Sequence, residues 1–195
     1  MNLPSPAIIA QSAVRRLPRL ALVLFGVAYV LPGFLGREPW KLADVSAFGV
    51  MLEMAAGHSS WWQPQVLGEL VDEPGPLPYW LGAAFIRLLP FLSADLAARI
   101  PFGGLLALTL ACTWYAVYHL ARQRGAQPVA FAFGGEAQPV DYARTLADAA
   151  LLALVACLGL AQLSHETTPD LARLAATSAM LLGAARLAQT DDAHP

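Results

Sequence analysis

Four apolar stretches alternate with polar segments along the chain, and each comes close to the roughly 20 residues that a helix needs to cross a bilayer. They are Leu20 to Gly36, Ile100 to Ala121, Thr145 to Leu163 and Leu171 to Ala188. Arginines precede the first stretch and no small-residue cleavage site follows it, which favours an uncleaved anchor over a signal peptide. The pattern predicts an all-α, polytopic membrane protein with about four transmembrane helices, in one membrane domain that covers residues 1–195.

The composition also favours a protein that faces lipid. Apolar residue types make up 57% of the chain and charged residues 13%, whereas soluble domains carry about 25% charged residues. A chain so poor in charge has too few polar side chains to cover a surface that faces water. The net charge of −2 gives no electrostatic reason to expect nucleic acid as a partner. Cys112 and Cys157 lie inside apolar runs and show neither a metal-site spacing nor a disulfide framework.

The distribution of arginines predicts the orientation in the membrane. With the N-terminus in the cytoplasm, residues 37–99 form an external loop and residues 122–144 a cytoplasmic loop. The stretch Pro76 to Leu92 is apolar, but prolines and Arg87 interrupt it. More basic residues fall on the inner side if this stretch lies flat than if it spans, so we expect an interfacial helix on the outer surface. The expected location is a bacterial-type inner (plasma) membrane with multiple crossings.

The first external loop is too rich in polar and aromatic residues to be a simple connector. A helical pattern begins near Asp44, and Gly57 is placed to end it. The apolar residues that share one face of this helix are Val45, Phe48, Leu52 and Ala55. The position of Asp44 is compatible with two roles, a cap of the helix N-terminus and a general base, and one residue could serve both.

Short motifs follow one another through this loop in a specific order. They are Gly36-Arg37-Glu38-Pro39-Trp40, Ala43-Asp44, Gly57, Trp61-Trp62-Gln63-Pro64, Glu73-Pro74-Gly75-Pro76-Leu77-Pro78-Tyr79-Trp80 and Ala94-Asp95-Leu96-Ala97-Ala98-Arg99-Ile100-Pro101. The series resembles the N-terminal part of the GT-C superfamily of membrane glycosyltransferases, which includes the protein mannosyltransferase and aminoarabinose transferase types. Two positions depart from the family pattern: Ala43 replaces the first acid of an acidic pair, and Pro74 replaces a lysine. Family members are also several times longer, so this chain is expected to be a fragment or a reduced relative.

The resemblance implies transfer of a sugar from a polyisoprenyl-phosphate donor to a lipid, glycan or protein acceptor on the outer face. It implies an acidic residue in the polar turn between the last two apolar stretches that faces the first loop. The candidate catalytic residues are Asp44, Glu73, Glu166 and Asp170. The candidate substrate-binding residues are Arg37, Trp40, Lys41, Tyr79, Trp80, Arg87 and His165. Membrane lipids are expected partners. Basic and aromatic residues also have an ordinary explanation at membrane interfaces, where arginines snorkel and aromatic rings form a belt.

Other interpretations stay open at this stage. His165, Glu166 and Asp44 have the ligand types of a divalent metal site, although their spacing is no metal signature. A non-catalytic membrane protein or subunit that keeps the fold is the alternative to a transferase. A transporter subunit is disfavoured, because its spanning helices usually carry ionisable residues in their middle and the middle of the stretch from Ile100 to Ala121 has none.

Overall fold

A single long helix organises the protein, and the other helices pack around it. The computed structural model describes residues 17–71, 75–128 and 137–191, and this part of the chain is mostly helical. Its elements are α1 (Arg19–Phe34), α2 (Leu42–Ala56), β1 (Gln65–Val66), β2 (Glu69–Leu70), α3 (Leu77–Leu88), α4 (Ala94–Ala121), α5 (Pro139–Val155), α6 (Leu158–Leu163) and α7 (Pro169–Asp191). The central helix is α4, which packs against α1, α2, α3, α5 and α7.

Within the described residues, two helices are long and apolar enough to cross a membrane: α4, and α7 over Pro169–Gln189. They contain two of the predicted spans, Ile100 to Ala121 and Leu171 to Ala188. The α1 helix has 16 residues, which at 1.5 Å per residue is about 24 Å and shorter than the roughly 30 Å hydrocarbon core. The two long helices are consistent with a membrane protein. The structure does not confirm the prediction of four spanning helices.

The predicted third span, Thr145 to Leu163, is not one continuous helix. The α5 helix begins earlier, at Pro139, and ends at Val155, and the short α6 begins at Leu158. Cys157 has an extended backbone (φ −68°, ψ 116°), so the helical hydrogen-bond ladder is interrupted there. The early start of α5 also shortens the predicted cytoplasmic loop 122–144, just as the start of α4 at Ala94 shortens the external loop 37–99.

The helix predicted in the external loop is present as α2. Gly57 ends it in the left-handed conformation, with φ +82°, which glycine adopts without steric penalty. The buried face, however, differs from the apolar face seen in the sequence, because Val45 and Leu52 are exposed. The residues of α2 that are buried are Asp44, Ala47, Val50, Met51 and Met54. A carboxylate therefore lies on the same face as the two buried methionines.

The segment between α2 and α3 forms a small hairpin, which an all-α prediction omits. Its strands pair Gln65 with Leu70 and Val66 with Glu69. The two residues of the turn, Leu67 and Gly68, both have positive φ, as a two-residue hairpin of type I′ requires. The hairpin lies beside α2, which contacts β1.

The core lies where α2, α3 and α4 meet. Phe102 and Leu106 of α4 are fully buried beside Met51 of α2 and Ala83 of α3. A Cβ atom added at Gly82 would overlap the Met51 sulfur, so α2 and α3 approach as closely as a glycine permits. This packing holds the middle of α2 and α3 against α4.

Candidate functional site

The carboxylate of Asp44 lies at the centre of a buried polar cluster at one end of the helix bundle. Asp44 is in the first turn of α2, and its side chain is 0% exposed. Its Oδ1 atom accepts two hydrogen bonds from Thr167, one from the backbone N–H and one from the hydroxyl, each 2.7 Å long. Lys41 is the N-cap residue of α2 and no side chain caps that end, so Asp44 does not have the predicted capping role.

Two arginines face the other oxygen of this carboxylate. Nη2 of Arg37 lies 3.9 Å from Asp44 Oδ2, and Nη2 of Arg99 lies 3.8 Å from it. Arg99 is 2% exposed, and its Nη1 donates to the backbone carbonyl of Arg37. These contacts bring the first loop and the first turns of α4 to the same carboxylate.

Three buried polar atoms of this cluster have no hydrogen-bond partner. They are Oδ2 of Asp44, Nη2 of Arg99 and Nε of Arg37. Buried polar atoms nearly always have a partner, and each exception needs an explanation. Asp44 Oδ2 and Arg99 Nη2 lie 3.8 Å apart, which is an ion pair but too long for a hydrogen bond, so a ligand with a hydroxyl group and an anionic oxygen could hydrogen-bond to both atoms.

A second ion pair lies beside the first. Lys41 Nζ is paired with Glu166 Oε1, and it also donates to the backbone carbonyl of Gln162 at 2.7 Å. Glu166 is 3% exposed, so its charge is balanced by Lys41 rather than by water. The family resemblance implied that an acidic residue in the turn between the last two apolar stretches faces the first loop. The contact between Glu166 and Lys41 agrees with this expectation.

The turn that carries Glu166 is buried from Ser164 to Thr168. The His165 ring packs between the rings of Tyr29 and Phe34, with centroid distances of 5.2 and 5.4 Å. Its Nε2 donates to the Tyr29 carbonyl at 3.0 Å, which assigns a proton to Nε2. A Cβ atom at Gly33 would overlap the His165 ring, so the ring can pack against α1 only because residue 33 has no side chain. His165 therefore anchors the turn to α1.

The remaining predicted residues lie elsewhere. Arg87 donates to the carbonyls of Ala55 and Met54, at 2.8 and 3.2 Å, and so closes the C-terminus of α2. Trp80 donates its indole N–H to the Trp61 carbonyl.

Tyr79 is buried in the core at 3% exposure, and Trp40 is 67% exposed next to Lys41. Asp170 is in the first turn of α7, with its side chain 75% exposed and paired with Arg173. Glu73 lies outside the residues that the structure describes.

The cluster does not have the composition of a metal site. In the described ranges, no group of three or more His, Cys, Asp or Glu residues is placed to hold a metal ion. His165, which the sequence grouped with Asp44 and Glu166, uses its Nε2 for the Tyr29 carbonyl. The cationic side chains of Arg37, Arg99 and Lys41 instead surround the two carboxylates.

Sequence reasoning missed two residues of this site, Thr167 and Arg99. The only signal for Arg99 was its place in the motif before the second apolar stretch, where it was not given a role. Thr167 carried no signal of its own, because a threonine in a polar turn is common and its partner is 123 residues away.

Comparison with known proteins found no matching family model, no matching curated protein and no matching solved structure.

Proposed function

We propose that this chain is a membrane glycosyltransferase of the GT-C type, or the N-terminal part of one. It moves a sugar from a polyisoprenyl-phosphate donor to a lipid, glycan or protein acceptor on the outer face of the inner membrane. The proposal starts from the resemblance of the motifs in the first loop, and the arrangement around Asp44 supports it.

The observation that carries the proposal is the asymmetry of the Asp44 carboxylate. Its Oδ1 is held by two hydrogen bonds from Thr167, whereas its buried Oδ2 has no hydrogen-bond partner. A general base needs this combination, because one oxygen must be fixed in place while the other is open to receive a proton. A purely structural carboxylate usually satisfies both oxygens.

The reaction follows from the groups that surround Oδ2. The acceptor hydroxyl attacks the anomeric carbon of the sugar, and its proton passes to Asp44 Oδ2. The bond between the anomeric carbon and the phosphate oxygen breaks, and its electron pair stays on the lipid phosphate. Arg37 and Arg99 then face the charge that develops on this leaving group, where charge-assisted hydrogen bonds are strong. Fixing both substrates beside these groups supplies a large part of the rate enhancement.

In the proposed topology, α4 and α7 cross the membrane, and α5 with α6 forms a further crossing. The α1 helix also crosses, because a bilayer can thin locally around a helix that is a few ångströms too short. The cluster around Asp44 then lies at the outer surface, with the N-terminus inside. The α3 helix has 12 residues, about 18 Å, which is too short to cross the hydrocarbon core and is suited to the interface. Trp61 and Arg87 belong to this interfacial part.

Asp44→Asn is the decisive test, because asparagine keeps an oxygen for the two Thr167 bonds and removes the base. Membranes that contain the protein and endogenous acceptors would be given a panel of radiolabelled polyisoprenyl-phosphate sugars. Transfer should fall by about 100-fold or more, as expected for loss of a general base. The control is Glu69→Gln on the hairpin, which changes an exposed acid to its amide in the same way and should leave transfer unchanged. Absence of transfer from every donor by the wild-type protein would disprove the proposal.

The alternative is a non-catalytic membrane protein in which Asp44 joins the first loop to the late turn. The two hydrogen bonds from Thr167 favour this reading. Under the alternative, Asp44→Asn has no effect on any transfer reaction, while Asp44→Ala lowers the thermal unfolding temperature. Measuring both variants in both assays separates the two functions.

A further inference from the structure

The tip of the hairpin between α2 and α3 carries a leucine in a backbone conformation that favours glycine. Among the described residues, Leu67 is the one non-glycine residue with a positive φ, at +53°. It occupies the first turn position, where type I′ turns favour asparagine, aspartate or glycine and a bulky side chain is strained. The Leu67 side chain is 94% exposed, so contacts within the described part of the protein do not offset this strain.

Two further apolar side chains are exposed beside Leu67. Val66 packs against the core beside α2, and the alternation of side chains along the paired strands places Leu70 on the opposite face of the hairpin, where it is 66% exposed. Trp62 precedes the hairpin and is 77% exposed, with its ring at right angles to the Trp80 ring. Trp62 and Leu70 border the same small depression of the surface. Trp62, Leu67 and Leu70 together form what we call the tip patch.

A membrane surface fits the tip patch better than a protein partner does. The patch lies at the edge of the fold, because the hairpin packs against α2, which in turn packs against α3 and α4. A stable protein interface uses about 20–30 residues a side, whereas this patch consists of three side chains. Tryptophan and leucine are typical of surfaces that enter the headgroup region of a bilayer. The helices α4 and α7 are long and apolar enough to cross that bilayer.

The charge near the patch also favours an apolar contact. Residues 59–71 contain no lysine or arginine and a single acid, Glu69. A surface without cations does not attract a nucleic acid or an anionic lipid headgroup. Contact with lipid would therefore depend on the apolar side chains, and added salt should not weaken it.

We infer that the tip patch inserts into the adjacent leaflet of the membrane and anchors the first loop there. The lipid then provides the apolar surroundings that the Leu67 side chain lacks within the protein. Insertion is shallow, because a two-stranded hairpin has unpaired backbone groups along its edges, which the hydrocarbon core does not tolerate. The tip thus lies at the boundary between headgroups and acyl chains, at a depth of about 5–10 Å. This inference is independent of sugar transfer and of the proposed function.

A fluorescent reporter at position 70 tests the inference. The full chain would carry Cys157→Ser, since Cys157 is exposed and Cys112 is buried, and Leu70→Cys would be labelled with an environment-sensitive dye. In phosphatidylcholine nanodiscs, lipids with nitroxides at different depths should quench the dye and place it about 5–10 Å below the surface. The control reporter is His58→Cys, because the His58 side chain is 70% exposed and polar. It should be quenched by iodide from the water and much less by the lipids.

Substitution of Leu67 separates lipid contact from folding of the hairpin. Leu67→Asn introduces a residue that the turn favours, so the unfolding temperature in detergent should be equal to or higher than that of the wild type. Quenching of the position-70 reporter by nitroxide lipid should nevertheless fall to the level of the His58 reporter. Leu67→Met is the matched control, because it keeps an apolar side chain of similar volume and should retain the quenching.

Three results would overturn the inference. The first is undiminished lipid quenching in Leu67→Asn. The second is access of iodide to the position-70 reporter equal to that at position 58. The third is protection from iodide without quenching by lipid, which would show that protein, such as a second copy of this chain, covers the tip patch.

Discussion

Thr167 donates both its backbone N–H and its hydroxyl to one oxygen of Asp44, across 123 residues of sequence. Both residues are buried, at 1% and 0% exposure. The contact joins the first turn of α2 to the turn before α7, and it leaves the second carboxylate oxygen facing Arg37 and Arg99. Thr167 thus fixes one oxygen of the carboxylate, and under the proposed function the other oxygen receives the proton.

Thr167→Val should separate these two roles. Valine keeps the shape and the backbone N–H but removes the hydroxyl, so Asp44 Oδ1 loses one of its two hydrogen bonds. The free energy of unfolding should fall by about 1–3 kcal/mol, the cost of an unmade hydrogen bond in a buried site, and transfer should fall with it because the carboxylate is less well fixed. Thr167→Ser is the control, since it keeps the hydroxyl and should retain most of the transfer rate. Equal loss of transfer in both variants would contradict the positioning role.

The Lys41–Glu166 pair should show strong energetic coupling. Lys41→Met leaves the buried Glu166 carboxylate without its cation and should destabilise the protein by about 1–3 kcal/mol, the cost of leaving a buried acceptor unpaired. The double variant Lys41→Met with Glu166→Gln should be more stable than Lys41→Met alone. A double-mutant cycle based on denaturant unfolding in detergent measures this coupling, and additive effects would show that the pair is exposed to water.

Gly33→Ala should destabilise the protein although it sits inside a helix. Alanine normally favours a helix by about 1 kcal/mol over glycine, but here its Cβ would overlap the His165 ring. Overpacking of this kind costs about 1–3 kcal/mol, so the net change should be unfavourable. Gly26→Ala is the matched control in α1, because an added Cβ there meets no atom within 4 Å, and it should be neutral or stabilising. A lower unfolding temperature for Gly26→Ala than for Gly33→Ala would contradict the packing argument.

The predicted orientation can be tested by cysteine labelling. Trp61→Cys should react with a membrane-impermeant maleimide added to intact cells, because the arginine distribution predicts that the first loop is external. Gly134→Cys should react only after the membrane is permeabilised; this position lies outside the described residues, so its prediction rests on the sequence. Labelling of Gly134→Cys in intact cells would reverse the topology.

Local rules predicted the end of α2, because a left-handed residue there favours glycine at position 57. The expectation that the polar turn faces the first loop came from the family resemblance and not from a local rule. The buried face of α2 was not predicted, because Asp44 shares that face with Met51 and apolar periodicity treats a carboxylate as exposed.

The break at Cys157 was also missed, for a different physical reason. Apolar residues continue on both sides of it, and hydropathy measures composition rather than backbone conformation. The role of Arg87 as a hydrogen-bond donor to the end of α2 depends on the packing of α3 against α2, which is a tertiary contact.

The long separation in sequence between Asp44 and Thr167 also determines when their contact can form during synthesis. If the chain is inserted as it is synthesised, the 123 residues between them take about 6–25 s to emerge at about 5–20 residues per second. During that interval the Asp44 carboxylate has no Thr167 to receive hydrogen bonds from, so the first turn of α2 must remain hydrated. The first loop can therefore close over Asp44 only after the turn that carries Thr167 has been synthesised.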